Sequence, residues 1–158
     1  ESGKTVLVVY GAEWCIWCHV FDKYIAGQSR KFKYDYENEG ERRKFKLRER
    51  ENKNAKKEAK ALNNYVAENF VVVHIESYFS PNGTEVINST GYDGDSIRSI
   101  PFIMAIDEEG QYADHMPPYS DVEGMEIRQD SGEEFRGFDR VILLEQLRKL
   151  RTSALGNR

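Results

Sequence analysis

Thiols, imidazoles and prolines are all scarce here: 158 residues hold two cysteines, three histidines and four prolines. Two cysteines exclude a multi-disulfide scaffold, so the core must be held by burial. His19, His74 and His115 are far apart in sequence and form no cluster with metal-ligand spacing, so no metal site is expected. No apolar run approaches the ~20 residues of a membrane span, and no membrane-crossing helix is expected. Basic charge is nearly missing from Asp93 to Glu134, where Arg98 and Arg128 stand alone among many acids.

The length fits one domain, residues 1–158, with a core of modest size, since 39% of residues are apolar and 32% charged. Net charge is −4, but Lys and Arg crowd the stretch from Arg30 to Lys60. Two differently solvated faces explain this better than steering of charged partners. The basic stretch carries no nucleic-acid motif, so an exposed hairpin-and-helix face is expected rather than RNA binding; docking of a partner stays open. The chain opens at Glu1 without a signal-peptide pattern and runs almost at once into a strand, as a processed or trimmed chain would.

Thr5 to Gly11 reads as a buried strand, and Cys15 to Ala26 as a helix stopped by Gly27. Phe32–Tyr36 and Phe45–Leu47 alternate around a turn at Glu37-Asn38-Glu39-Gly40, which suggests a β-hairpin with a charged helix as competitor. Ala55, Ala59, Leu62 and Val66 recur at helical spacing within Asn54–Glu68. Val71–Ile75 and Phe102–Ile106 read as strands, Ser80–Ser96 as loop, and Asp107–Gly110 as a turn. A polar excursion then runs to about Gly132, followed by a short strand at Glu134–Arg136 and a helix from Asp139 to Arg151. This order implies an α/β fold: a mixed central sheet with helices on both faces, its first crossover parallel and its last two strands a hairpin.

The run Trp14-Cys15-Ile16-Trp17-Cys18-His19 follows the first strand directly. Thiols two residues apart can close a small disulfide where a helix begins, and the first sulfur there faces unpaired N–H groups and the positive dipole end. Strand, turn and a helix opening on Cys-x-x-Cys is the arrangement of thiol–disulfide exchange. Cys15-x-x-Cys18-His19 also satisfies a c-type haem attachment motif, and a purely structural disulfide is a further alternative, though so short a loop constrains the chain little.

Four separated segments resemble the thioredoxin-fold superfamily: Val6 to Cys15, Ser96-Ile97-Arg98-Ser99-Ile100-Pro101, the turn at Asp107–Gly110, and Phe135-Arg136-Gly137-Phe138. Cys18-His19-Val20-Phe21-Asp22-Lys23-Tyr24 is most similar to the C-terminal domain of DsbD-type reductases and its single-domain relatives. Relative to that pattern the usual first strand and helix are absent, and a basic segment (about 29–53) and an acidic one (about 111–133) look inserted. Val9 occupies the place where many relatives carry a buried acid.

The resemblance implies that Cys15 is an exposed nucleophile with a pKa below ~8.5 and Cys18 the buried resolving thiol. Asp22 and Glu13 are the remaining candidates for deprotonating Cys18. Pro101 is expected to be cis, with the backbone of Ile100 free to pair with an extended substrate. Trp14 would shield the disulfide, Trp17 and Ile16 would make the mouth apolar, and His19 would support the thiolate when protonated. The implied activity is disulfide exchange with protein substrates, favouring reduction. It would need no cofactor beyond the dithiol, and a partner protein would supply electrons. A monomer in the periplasm or another extracytoplasmic space is expected, with a cytoplasmic location left open. The rival is an adaptor of the same fold with little turnover.

Overall fold

Every residue of strand β1 (Thr5–Gly11) except Val6 is buried, as in a strand covered on both faces. The computed structural model describes residues 3–29, 32–38, 41–47, 53–76, 82–118, 128–130, 133–135 and 137–156. In it, β1 pairs in parallel with β4 (Phe70–Glu76) and antiparallel with β5 (Phe102–Ile106). Strand β6 (Tyr112–His115) adds antiparallel to β5, giving the order β4-β1-β5-β6. The parallel β1–β4 pair needs a crossover. Helices α1 (Ile16–Ile25) and α2 (Ala55–Asn69) lie within it.

Alternation along β1 separates two cores. Leu7 and Val9 join Ile103 and Ala105 beneath α1, α2 and α4 (Arg140–Gly156). Val8, Tyr10 and Met104 join Ile87 of α3 (Gly83–Ser89) on the other face, where the Tyr10 hydroxyl meets Thr84 Oγ1 at 3.2 Å. Helices therefore cover both faces of the mixed sheet, and the fold is α/β. Tyr92, Phe102, Tyr112 and His115 stack on the second face, with the Tyr92 ring 4.9 Å from Phe102 and 4.8 Å from Tyr112.

Local signals set the helix ends. The N–H of Gln28 bonds the Lys23 carbonyl and that of Gly27 bonds Tyr24, while Gly27 takes a φ of 78°, the left-handed turn that closes a helix. Asp139 Oδ1 accepts from the N–H groups of Val141 and Ile142, capping α4. Arg140 is almost wholly buried, its guanidinium 4.5 Å from the Tyr24 ring centre and Nη2 donating to the Gln28 carbonyl, which ties α4 to the end of α1.

Several expectations need correction. The hairpin partner of β5 is β6, not the strand expected at Glu134–Arg136. The core sheet thus extends into the segment assigned to an acidic insert at about 111–133; Met116 still bonds Ile103 and is buried. Strand β8 (Glu133–Phe135) pairs instead with β7 (Arg128–Asp130) in a separate sheet. The stretch expected as loop from Ser80 to Ser96 contains α3 and a 3-10 turn at Gly94–Ser96. Helix α4 runs five residues past Arg151 because Ala154 continues its buried stripe.

The basic stretch forms a hairpin of β2 (Phe32–Asn38) and β3 (Glu41–Leu47), not the competing helix. Strand β3 comes close to β8. The expected turn at Glu39-Gly40, the segment 48–52, Ser80, residues 119–127 and 131–132 of the excursion, and Arg136 lie outside the described residues. No helix among the described residues is long and apolar enough to cross a membrane.

Candidate functional site

At the end of β1 the chain turns at Ala12, whose carbonyl accepts the Cys15 N–H at 2.9 Å. Cys15 is then the N-cap of α1, in extended conformation. Its Sγ accepts the backbone N–H of Cys18 at 3.2 Å, and the two cysteines are joined as a disulfide. A sulfur in the N-cap position receives both an orphan N–H and the positive end of the helix dipole, which favour negative charge on it once the bond is opened.

The expectation of an exposed Cys15 is corrected: Cys15 is 5% and Cys18 6% exposed. Folding back over the first turn draws the cap sulfur into the same core cluster as Ala12 and Trp17. The tryptophans also divide differently from expectation. Trp17 is buried, its ring 5.7 Å from Phe138 and edge-on to it, so it belongs to the core rather than the mouth. Trp14 is the exposed aromatic beside Cys15, and Ile16 is half-buried against the core.

Gly11 is a close-approach position. A Cβ there would lie 2.6 Å from Cys18 Sγ and 3.4 Å from its Cβ, so the sulfur rests on the β1 backbone. Gly11→Ala is expected to cost about 1–3 kcal/mol by overpacking. In urea melts the cost should shrink in a Cys18→Ala background, where the sulfur is gone.

The last β1–β5 pair is Tyr10 with Phe102, so Pro101 follows at the level of Gly11. The Ile100–Pro101 bond is cis, and Ile100 packs against both cores. The Ile-Pro segment and the cysteines therefore share one end of the sheet, the carboxyl end of β1, where open α/β sheets place their sites.

Polar groups surround this end. His19 Nε2 donates to the Glu13 carbonyl at 2.6 Å, bracing the loop that leads into α1. The Glu13 N–H in turn donates to Glu76 Oε2 at 3.1 Å. Val9 is 1% exposed and brings no acid beneath the cysteines. Asp22, one helical turn beyond Cys18, does not stand alone: its Oδ1 lies 2.7 Å from His74 Nε2.

His74 and Glu76 are not among the site residues that the sequence singles out. The available signal was their alternation at positions 74 and 76, at the carboxyl end of a strand parallel to β1. His115, by contrast, belongs to the ring stack, its Nδ1 2.6 Å from the Tyr112 hydroxyl.

The hydrogen bond to Asp22 is the main cause that raises the His74 pKa above the ordinary histidine value of 6.5; burial opposes it. A raised folded-state pKa contributes stability fully below 6.5 and loses it as pH climbs through the higher folded value. The stability gap between the native chain and Asp22→Asn should therefore narrow as pH rises above 6.5, read by thermal melts. With both side chains partly exposed, the change should stay below about 1 kcal/mol.

A Cys-x-x-Cys pair at a helix start, with a sheet-end loop beside it, is an arrangement that can exchange disulfides. A haem thioether linkage would use both sulfurs, which here bond each other. Comparison with family models, with curated proteins and with solved structures returned no match.

Proposed function

We propose that this chain is a thiol–disulfide oxidoreductase with a thioredoxin-like fold, acting on protein disulfides and working chiefly as a reductant. The carrying observation is Cys15 at the N-cap of α1, bonded to Cys18 and accepting its N–H. The sheet order β4-β1-β5-β6, with α1, α2 and α4 on one face and α3 on the other, supports the fold reading.

In the proposed cycle the Cys15 thiolate attacks a substrate disulfide and releases one substrate sulfur as thiolate. Cys18 then attacks the Cys15 sulfur, forms the Cys15–Cys18 bond and expels the second substrate thiolate. Two electrons pass to the substrate, and a partner protein restores the dithiol. The backbone of Ile100 would hold an extended substrate segment alongside. Glu13 and His19 hold the loop before α1, and Trp14 offers an apolar contact at its rim. The reading includes a monomer outside the cytoplasm, periplasmic by resemblance, using no cofactor beyond the dithiol.

The near-complete shielding of both cysteines favours a second reading, an adaptor of the same fold with little turnover. Catalytic reduction of insulin disulfides with dithiothreitol as electron source separates the two. Turnover above the dithiothreitol background is expected, and none would leave the adaptor.

A further inference from the structure

Exchange leaves one requirement unmet by the groups described so far. Cys18 must lose its proton before its sulfur can attack, and Val9 supplies no acid or base beneath it. Resting on the exchange reading above, we propose that the Asp22–His74 pair takes the Cys18 proton, His74 as the base and Asp22 as the residue that positions it.

The register carries the argument. Cys18 Sγ lies against Gly11, which is paired with Glu76 on β4. Two residues earlier in the same parallel ladder, Val9 is paired with His74. Residues two apart on a strand share a face, so His74 stands on the face that Cys18 covers. The two rows are roughly 6.6 Å apart along the strands and the strands roughly 4.8 Å apart, so the proton would travel by way of water rather than by direct contact.

Asp22 reaches the same place from α1, since residues four apart on a helix are neighbours. The carboxylate accepts from His74 Nε2–H and leaves Nδ1 as the acceptor. Partial exposure of both side chains, 55% for His74 and 36% for Asp22, lets water enter and the proton leave. The groups facing His74 are Asp22 from α1 and Glu76 from its own strand. β1 presents the uncharged Val9, and α2 meets β4 at the far end, where Tyr65 packs on Phe70.

In the resolving step the thiol proton of Cys18 passes through water to His74 Nδ1. The freed electron pair forms the bond to the Cys15 sulfur. The bond between Cys15 and the substrate sulfur breaks, and its pair leaves on the substrate as a thiolate that solvent protonates. The two cysteines are oxidised and the substrate reduced by two electrons.

The test mixes the reduced chain with excess oxidised glutathione and follows, by rapid quench and mass, closure of the Cys15–glutathione mixed disulfide across pH. The native chain should show closure rising through an inflection above pH 6.5, the ordinary histidine value. Asp22→Asn should move that inflection to lower pH. His74→Gln should remove it and slow closure at neutral pH by up to about 100-fold, the lower end of general-base contributions.

An unmoved inflection in Asp22→Asn, or one that survives His74→Gln, overturns the proposal. A merely structural pair would lower the melting temperature in both variants without moving the profile. Closure needs no protein substrate, so a chain inactive on insulin would refute the function reading and still report on the pair.

Discussion

Cys15→Ser is expected to cut reduction of protein disulfides to background, a loss of roughly a thousandfold or more, the scale on which deleting a nucleophile acts. A hydroxyl at the N-cap of α1 keeps the hydrogen bond to the Cys18 N–H, since serine is a preferred cap. Fold and stability should therefore survive while chemistry is lost, because at neutral pH a hydroxyl does not supply the anion that opens a disulfide. Cys18→Ser should behave differently. In the proposed cycle it keeps the attacking Cys15 but removes the sulfur that would expel substrate, so mixed disulfides should accumulate and resolve only with external thiol. Non-reducing gels and intact mass read both outcomes. Full activity in Cys15→Ser would refute the roles assigned to the two sulfurs.

The second large effect is on stability. Phe21 is fully buried on α1, its ring 6.1 Å from Phe138 and edge-on to it. It lies on the buried stripe of Trp17, Tyr24 and Ile25, one turn beyond the turn that holds the disulfide. Phe21→Ala removes a large side chain from a site closed by the sheet beneath and by α4 beside it, so collapse can fill only part of the void. The expected cost is about 3–5 kcal/mol, which for this chain length corresponds to roughly 10 °C in melting temperature. Val141→Ala, at a residue of α4 that is 51% exposed, should stay within about 0.5 kcal/mol. Calorimetry of the oxidised chain checks both, and equal effects would mean that α1 does not anchor the core.

Much of this architecture is legible in the chain. β1, β4 and β5 are short β-branched runs, and the stripe Ala59, Leu62, Val66 marks α2, because burial on one or both faces leaves a periodic trace. The Cys-x-x-Cys pair at the end of β1 is equally visible, as is Gly27 closing α1. α3 was missed because its seven residues carry one core side chain, Ile87, among Gly, Asn, Ser and Thr that read as loop. β6 was missed because Tyr112-Ala113-Asp114-His115 is half-buried throughout and lacks an apolar alternation.

The site divided along the same line. Positions set by local chain geometry, Cys15, Cys18 and the Ile100–Pro101 segment, were legible. The partners of Asp22 and Glu13 come from β4, 52 and 63 residues away, and no local pattern announces a contact at that separation. The swap between Trp14 and Trp17 has the same origin: which one meets the core depends on Phe138, far down the chain.

The most direct test of the redox claim is an equilibrium titration of the Cys15–Cys18 disulfide against glutathione, quenched by alkylation and read by mass. The account predicts one reversible two-electron transition, reached equally from either side, within the range of about −270 to −120 mV spanned by thiol–disulfide exchange proteins. A disulfide that resists glutathione at every ratio, with a potential below about −300 mV as structural bonds have, would contradict it.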